Sequence, residues 1–496
     1  MNIWELVAVF LYLALVICVG VYFFFKGGAN GDEKDYFLGG RNMGGWVAAL
    51  SAGASDMSAW VLMGLPGSIY LYGIGQVWIS VGLAIGTICS WVFIAPKLRR
   101  YSIKAKDSIT IPQFLTNRFL TDNVALQVIS AIVFVVVYCV YSASSISACG
   151  TLFNAVLGMK ESTAMIIATI VIVLYTFLGG FNAVCWTDFF QGLLMLGALM
   201  IAPIICVFFM NSADFVQPAV TIGENYYNIL SSGSFDYKSI ADILTGLGWG
   251  LGYFGMPHIL IRFLSIKSEK EMKKSRIIGC IWTCIILTMA SVVGIVGRQF
   301  LGDALTEGGK QSLVFINIVR TVFPAFIGGI LLSAILAASM STADSQLLAS
   351  SSAFSSDVYK PFIRKNASNK EMMWAGRIVV AVIAIVAFFI ANSPECKGIM
   401  ALVECAWAGF GASFGPVVIL ALYWKRLTYS GAVAGIIVGF IVDAIWYMYL
   451  SSSTGIYEII PGFICGLVAA VVVSLLSKAP SKEVCDLFEE AKKSVD

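Results

Sequence analysis

One acidic residue lies among small hydroxyl residues in the middle of a long apolar stretch. Asp56 falls inside the stretch 43–72, between Ser55 and Ser58 and three residues after Gly53. A carboxylate near the middle of a bilayer costs about 3 kcal/mol on insertion scales, so it is retained only where it has a use. Glycine and serine weaken a helix, and hydroxyls can satisfy backbone groups that a break sets free. The pattern predicts a broken membrane helix beside a small cation, and the alternative is a polar patch between closely packed helices.

A second group of oxygen-bearing side chains lies in the apolar stretch 323–351. Ser341, Asp344 and Ser345 are three and four residues apart, so they share one face of a helix. Hydroxyl and carbonyl oxygens suit a hard cation such as Na⁺. The alternative is that these hydroxyls bond back to their own helix, although an acid here still needs a partner or an ion.

Alternating glycines interrupt another apolar stretch, 239–265. They are Gly246, Gly248, Gly250, Gly252 and Gly255, and Pro257 follows them. Glycine is flexible and proline lacks an N–H, so a uniform helix is disfavoured, and the alternative is a close-packing seam. This stretch is the fifth apolar one after 43–72. Two five-helix repeats that each begin with a broken helix are typical of secondary transporters, with the site between the breaks.

Composition indicates that these stretches belong to a polytopic membrane protein. The 496 residues are 59% hydrophobic and 12% charged, with a mean hydropathy of +0.86, whereas soluble domains contain about 25% charged residues. Thirteen stretches are long enough to cross a bilayer: 4–26, 43–72, 75–96, 124–157, 162–180, 187–210, 239–265, 276–299, 323–351, 373–392, 399–423, 428–450 and 456–477.

The distribution of Lys and Arg predicts the orientation. If the N-terminus is outside, all but six of the 32 basic residues fall on the inner side. The six are Lys160, Lys238, Arg298, Lys310, Arg320 and Lys397. The positive-inside rule therefore predicts an outer N-terminus and, with an odd number of spans, a cytoplasmic tail. The inner connections 97–123 and 266–275 are predicted to form short surface helices.

This count predicts the organisation of the chain. The predicted segments are an extra N-terminal helix with an inner loop (1–42), a first five-helix repeat (43–210), an outer loop (211–238), a second five-helix repeat (239–423), two C-terminal helices (424–477) and a cytoplasmic tail (478–496). The fold class is all-α, and the two interrupted helices face one another at its centre.

The remaining ionisable residues in apolar stretches are given simpler interpretations. Asp188 is expected either to cap the start of the sixth span or to take part in a site. Glu404 and Asp443 have no partner that the sequence identifies. Glu5 is expected to be solvated near the outer surface, and His258 to be a hydrogen-bonded packing residue rather than a proton relay.

The same composition argues against several classes of protein. The chain has one histidine, and its 12 cysteines form no CxxC pair, so they are interpreted as free thiols rather than metal ligands. No nucleophile–base pair appears, so neither an enzyme nor a cofactor is expected. The net charge of +3 is too small to indicate a nucleic-acid partner.

Several motifs, in the same order along the chain, resemble the sodium/solute symporter family and, within it, the bacterial sodium/proline symporters. They are Phe37-Leu38-Gly39-Gly40-Arg41, the run from Ser51 to Ser58, Tyr175 to Phe181, Gly248 to Gly255, Leu336-Ala337-Ala338 before Ser341-Thr342, and Ala406 to Gly411. The resemblance implies a leucine-transporter-type core of two inverted five-helix repeats, with one extra N-terminal and two extra C-terminal helices. It also implies a bacterial plasma membrane location.

The resemblance also implies specific site residues. A sodium ion would be bound by the backbone carbonyls of Ala54, Met57 and Ala338 and by the hydroxyls of Ser341 and Thr342, with Asp56 as a ligand or an organiser. Proline would lie near Trp60, Tyr141, Trp249, Tyr253, Pro257 and Ser58. Asp188, Asp344 and Ser345 resemble the place where some members bind a second sodium.

The function implied is the uptake of L-proline driven by inward Na⁺ movement, with the lipid bilayer as surroundings and no oligomer required. Met256 stands where the resemblance leads us to expect glutamine, which leaves symport of another small organic solute such as a sugar, choline or a vitamin as an alternative. A transporter-like sensor and a channel are more distant alternatives.

Overall fold

The protein folds as a bundle of helices. The computed structural model describes residues 2–27, 33–213, 215–396 and 398–493, and within these ranges it contains helices and turns but no strand. Lys397, which the charge count assigns to the outer side, and the last residues of the predicted tail 478–496 fall outside the described residues.

The helices of the first half are α1 (Ile3–Gly27), α2 (Glu33–Leu38), α3 (Gly45–Asp56), α4 (Gly64–Tyr72), α5 (Val77–Cys89), α6 (Ala95–Lys104), α7 (Ile111–Asn117), α8 (Ala125–Leu157) and α9 (Glu161–Met210). Those of the second half are α10 (Tyr237–Gly248), α11 (Pro257–Ser265), α12 (Glu269–Leu301), α13 (Val314–Val322), α14 (Ala325–Phe354), α15 (Asn369–Ala391), α16 (Ile399–Tyr423), α17 (Tyr429–Ile445), α18 (Ser451–Thr454), α19 (Ile459–Leu476) and α20 (Lys482–Glu490).

Nine helical segments in the described part of the chain are long and apolar enough to cross a membrane. The stretches 43–72 and 239–265 do not qualify because each is divided into shorter helices. The expected spans 162–180 and 187–210 lie on the two sides of a kink at Gly180 (φ 66°, ψ 175°), which divides α9 into two helical segments. The all-helical membrane class is confirmed, whereas the count of thirteen spans and the inverted-repeat arrangement stay predictions.

The first interruption follows Asp56, as the sequence predicts. α3 ends there, Met57 leaves the helical region (φ −83°, ψ 77°), and Ser58 is extended. A short 3-10 turn, Ala59–Val61, then leads into α4. A Cβ at Gly53 would lie 2.4 Å from a ring carbon of Trp282, so this glycine lets α12 approach closely.

The second interruption lies between α10 and α11. Trp249–Phe254 form a 3-10 helix, and Met256 is extended (ψ 108°) before Pro257 begins α11. Proline suits the first position of a helix because its missing N–H has no partner there in any case. The glycines of this break also pack closely against α5, as the alternative interpretation of a close-packing seam predicts. A Cβ at Gly250 would lie 2.3 Å from the carbonyl oxygen of Gly82.

The connection 266–275 differs from the prediction. α12 begins at Glu269, and the Ser268 hydroxyl caps it by accepting from the N–H of Glu271 (3.3 Å). The expected separate surface helix is therefore the first part of a membrane helix, because Ser-x-x-Glu is a capping sequence that starts the helix earlier than hydropathy indicates. The connection 97–123 does contain α7 as a separate short helix.

Candidate functional site

The first break brings a backbone carbonyl to the hydroxyls of α14. The Ala54 carbonyl oxygen accepts a hydrogen bond from Ser341 Oγ (2.8 Å) and lies 3.5 Å from Thr342 Oγ1. Ser341 also donates to the carbonyl of Ala338 (3.1 Å). All four residues are fully buried, as is Met57. This set of uncharged oxygens, on two helices, has the chemistry that a hard monovalent cation requires.

Asp56 connects the two breaks. Its carboxylate accepts a hydrogen bond from the Tyr253 hydroxyl of the second break, and its other oxygen, Oδ1, has no hydrogen-bond partner among the described residues. Its backbone carbonyl accepts from the indole N–H of Trp60 (3.2 Å) and from the Tyr141 hydroxyl (3.3 Å). The bond to Tyr253 directs one carboxylate oxygen toward the second break.

Aromatic rings form a buried cluster between the breaks. The ring centroids of Trp60 and Trp249 are 6.3 Å apart, and Tyr457 packs on Trp249 at 5.2 Å. Trp407 stacks on Trp249 at 6.5 Å and meets Tyr253 edge-on at 5.1 Å. The rings of Trp60, Trp249 and Tyr253 were predicted for the substrate, and the structure brings them together.

Two further predicted residues have local backbone roles. The Ser58 hydroxyl caps the 3-10 turn by accepting from the N–H of Trp60 at 3.5 Å. Pro257 is buried as the first residue of α11. Trp407 and Tyr457 were not predicted, although the Ala406–Gly411 motif contains Trp407, because sequence spacing does not reveal which distant helix packs on a break.

A buried arginine occupies the region predicted for a second sodium. Arg262 Nη2 lies 3.0 Å from Asp188 Oδ2 and donates to Ser345 Oγ, while Arg262 Nε donates to Ser51 Oγ (3.0 Å). Asp188 also accepts from Ser51 Oγ (2.7 Å). Asp344 accepts from Ser345 Oγ (3.3 Å). The three predicted residues Asp188, Asp344 and Ser345 are therefore joined around one guanidinium.

This geometry corrects two sequence expectations. Asp188 lies inside the helical segment that follows the Gly180 kink, so it does not cap a helix end. Arg262 was counted with the inner connections but is 1% exposed. The hydrogen bond from Nη1 to the His258 carbonyl (2.7 Å) adds to its pairing with Asp188, and buried charges are generally retained in such pairs.

The predictions for the other buried ionisable residues agree with the structure in some cases and not in others. Glu5 is 5% exposed and pairs with Arg320 through two bonds of 2.8 and 2.9 Å, so the prediction that it is solvated is wrong. The reason is that α13 places the guanidinium of Arg320 next to Glu5 on α1. The His258 imidazole contacts the Tyr138 hydroxyl (3.3 Å), as expected for a packing residue. Asp443 Oδ1 has no hydrogen-bond partner among the described residues.

One surface cavity lies away from the two breaks, and the described residues form no cluster of metal-ligating side chains. Within the described ranges, no group of three His, Cys, Asp or Glu residues could hold a metal ion. A cavity of about 480 Å³ near α1 is lined by Glu5, Arg320 and Gly158, and none of the predicted site residues lines it.

Comparison with known proteins identifies the family. The model of the sodium:solute symporter family matches residues 36–439, which include both breaks and α14. The chain belongs to this family. This symporter is 44% identical to the high-affinity proline transporter PutP of Bacillus subtilis. The alignment covers 95% of this chain and 98% of the relative. The chain is 43% identical to the sodium/proline symporter of Escherichia coli over 92% of this symporter and 90% of the relative.

Solved structures support the fold of this symporter. A sodium-coupled sialic acid symporter in a substrate-bound outward-open state aligns with a TM-score of 0.78 at 21% identity, covering 97% of this chain and 99% of that chain. The crystal structure of MhsT in complex with L-phenylalanine aligns with a TM-score of 0.56 at 12% identity, covering 86% of this chain and 97% of that chain. At these sequence identities the two structures support the fold of this chain but do not indicate its substrate.

Proposed function

We propose that this symporter couples inward movement of Na⁺ to uptake of L-proline by alternating access. The observation that carries the proposal is the bond from Ser341 to the Ala54 carbonyl, which joins α14 to the first break next to Asp56. The names of the relatives at 44% and 43% identity support proline as the solute.

The sodium ion is proposed to bind between α3 and α14. Its ligands would be the carbonyls of Ala54, Met57 and Ala338 and the hydroxyls of Ser341 and Thr342. An ion here would take the acceptor oxygens that the two hydroxyls now contact, so binding would fix the end of α3 against α14. Asp56 is proposed to act as an organiser, because its carboxylate bonds to Tyr253.

Proline is proposed to bind among the aromatic residues of the two breaks. Trp60, Tyr141, Trp249 and Tyr253 offer apolar faces with polar edges, which suit a pyrrolidine ring. Free backbone amides at a helix break can hold the carboxylate of proline. The Asp56 Oδ1 atom, which has no hydrogen-bond partner among the described residues, would be available to the ammonium group. Pro257 and Ser58 would shape the backbone around the solute.

One sodium ion per cycle is sufficient to drive accumulation. A monovalent cation moving down about 100 mV releases ~2.3 kcal/mol. A tenfold sodium gradient adds about 1.4 kcal/mol, and the total corresponds to roughly several hundred-fold accumulation. Binding of a second sodium at Asp188, Asp344 and Ser345 would have to compete with the guanidinium of Arg262, so we propose a single coupling ion.

The proposed organisation follows from the same argument. Repeats 43–210 and 239–423 would rock against each other, with the N-terminus outside and the tail in the cytoplasm. The helices 424–477 would add to the outside of this core. A monomer is mechanically sufficient for this motion.

A competition panel tests the choice of solute. Purified protein in proteoliposomes with an inward sodium gradient is given labelled proline together with an excess of unlabelled proline, a sugar, choline or a vitamin. We expect competition by proline alone. Stronger competition by one of the others would reassign the solute and would make Met256, which is fully buried next to the break, the first residue to examine.

A further inference from the structure

The second break has a support that comes from a different helix. The 3-10 segment Trp249–Phe254 has poorer hydrogen-bond geometry than an α-helix, so its carbonyls benefit from additional donors. The indole N–H of Trp407, on α16, donates to the carbonyl of Trp249 at 2.7 Å. Ser90 similarly donates to the carbonyl of Tyr253 (3.1 Å). Two carbonyls of the segment are thus bound by side chains of neighbouring helices.

The fit between Trp407 and the break is close. A Cβ at Gly252 would lie 2.0 Å from Trp407 Nε1, so only glycine leaves room for the indole at this position. Trp407 is 1% exposed, and a buried indole N–H normally requires an acceptor. The same ring stacks on Trp249 and meets Tyr253 edge-on. One side chain therefore contacts both aromatic residues that the second break contributes to the substrate region.

A corresponding bond exists at the first break. There the Trp60 indole donates to the carbonyl of Asp56 at 3.2 Å. In both places an indole N–H binds the carbonyl of a residue that is central to the site. The difference is that Trp60 belongs to its own break, whereas Trp407 comes from α16 and so connects the second break to another part of the bundle.

We infer that Trp407 is a positioning residue for the substrate, holding Trp249 and Tyr253 in place through its N–H bond to the Trp249 carbonyl. The inference rests on the proposed function, because it concerns affinity for the solute. The proposed role belongs to the N–H bond of Trp407 and not to the packing of its ring alone. Loss of the bond should weaken proline binding, and sodium binding at α14 should be affected much less.

The test is Trp407→Phe, which retains an aromatic ring and removes the donor. In proteoliposomes we expect the KM for proline to rise about tenfold, the size of one lost hydrogen bond of ~1.4 kcal/mol. The maximal rate, and the sodium concentration for half-maximal uptake at matched proline saturation, should stay within about twofold. Trp446→Phe is the matched control, because the Trp446 indole also donates to a backbone carbonyl, that of Ile456 (3.0 Å), which belongs to neither break.

A second variant covers the case in which Trp407→Phe does not fold. Incorporation of benzothienylalanine at position 407 replaces the N–H by sulfur while keeping the ring shape, and it should raise the KM by a similar factor. A KM within about twofold of wild type in either folded variant would overturn the inference, as would an equal change in sodium dependence and maximal rate. Wild-type protein that takes up no proline would instead refute the proposed function, and this inference with it.

Discussion

Thr342 provides the sharpest test of the sodium site at the level of one residue. Thr342→Ala removes a proposed hydroxyl ligand from a fully buried position beside the Ala54 carbonyl. We expect the sodium concentration for half-maximal proline uptake to rise by roughly tenfold or more, since each decade corresponds to ~1.4 kcal/mol. Thermal unfolding of the purified protein should change little, because the deleted group makes one long hydrogen bond.

Thr169→Ala is the matched control for that prediction. The Thr169 hydroxyl bonds to the Met165 carbonyl of its own helix (2.7 Å), so its loss should leave sodium activation unchanged. Normal sodium activation in Thr342→Ala would remove Thr342 from the site.

Tyr253 tests the connection between the breaks. Tyr253→Phe removes only the hydroxyl that bonds to Asp56. Hydrogen bonds to charged groups contribute about 1.5–3 kcal/mol, so we expect proline affinity to fall by roughly ten- to a hundredfold. Proline KM and sodium dependence are measured in the same preparation. A larger loss for sodium than for proline would contradict the assignment of Tyr253 to the substrate.

Arg262 shows how the helices depend on one another. Its guanidinium joins Ser51 on α3, Asp188 on α9 and Ser345 on α14 from its own position on α11. Arg262→Met leaves the buried Asp188 carboxylate without its cation and should destabilise the protein by about 3–5 kcal/mol. The measurement is the thermal unfolding of purified protein in detergent.

A double variant identifies the cause of that loss. Arg262→Met combined with Asp188→Asn removes both charges, so it should recover a large part of the stability. Lys425→Met is the comparison, because Lys425 and Glu489 are both 47% exposed in their pair and such pairs contribute less. A double variant that is no more stable than Arg262→Met would show that the charge pair is not the reason.

The two breaks could be predicted from the sequence because their causes are local. Glycine and proline disfavour a helix wherever they occur, and the spacing of Gly246 to Pro257 shows this directly. The hydroxyl face of α14 follows from helical periodicity in the same way. The end predicted for the span 162–180 coincides with the kink at Gly180, where a positive φ of 66° favours glycine.

The partners across the bundle could not be predicted in this way. The pairs Arg262–Asp188 and Arg320–Glu5 join residues 74 and 315 positions apart, and no local pattern identifies either pair. Basic residues near predicted span ends were therefore assigned to the aqueous sides. The Trp407 bond to the Trp249 carbonyl was missed for the same reason, since its acceptor is a backbone group 158 positions away.

At the level of the whole molecule, the coupling of ion and solute fixes the charge moved in each cycle. Zwitterionic proline has no net charge, so one sodium ion per proline carries one positive charge inward. Because the Arg262 guanidinium already pairs with Asp188 where a second sodium would bind, one coupling ion per proline is expected. The direct measurement is the voltage at which proline flux reverses in proteoliposomes at fixed sodium and proline gradients. We expect a reversal voltage that corresponds to one charge per proline, and proline flux that ignores both the sodium gradient and the voltage would contradict sodium-coupled symport.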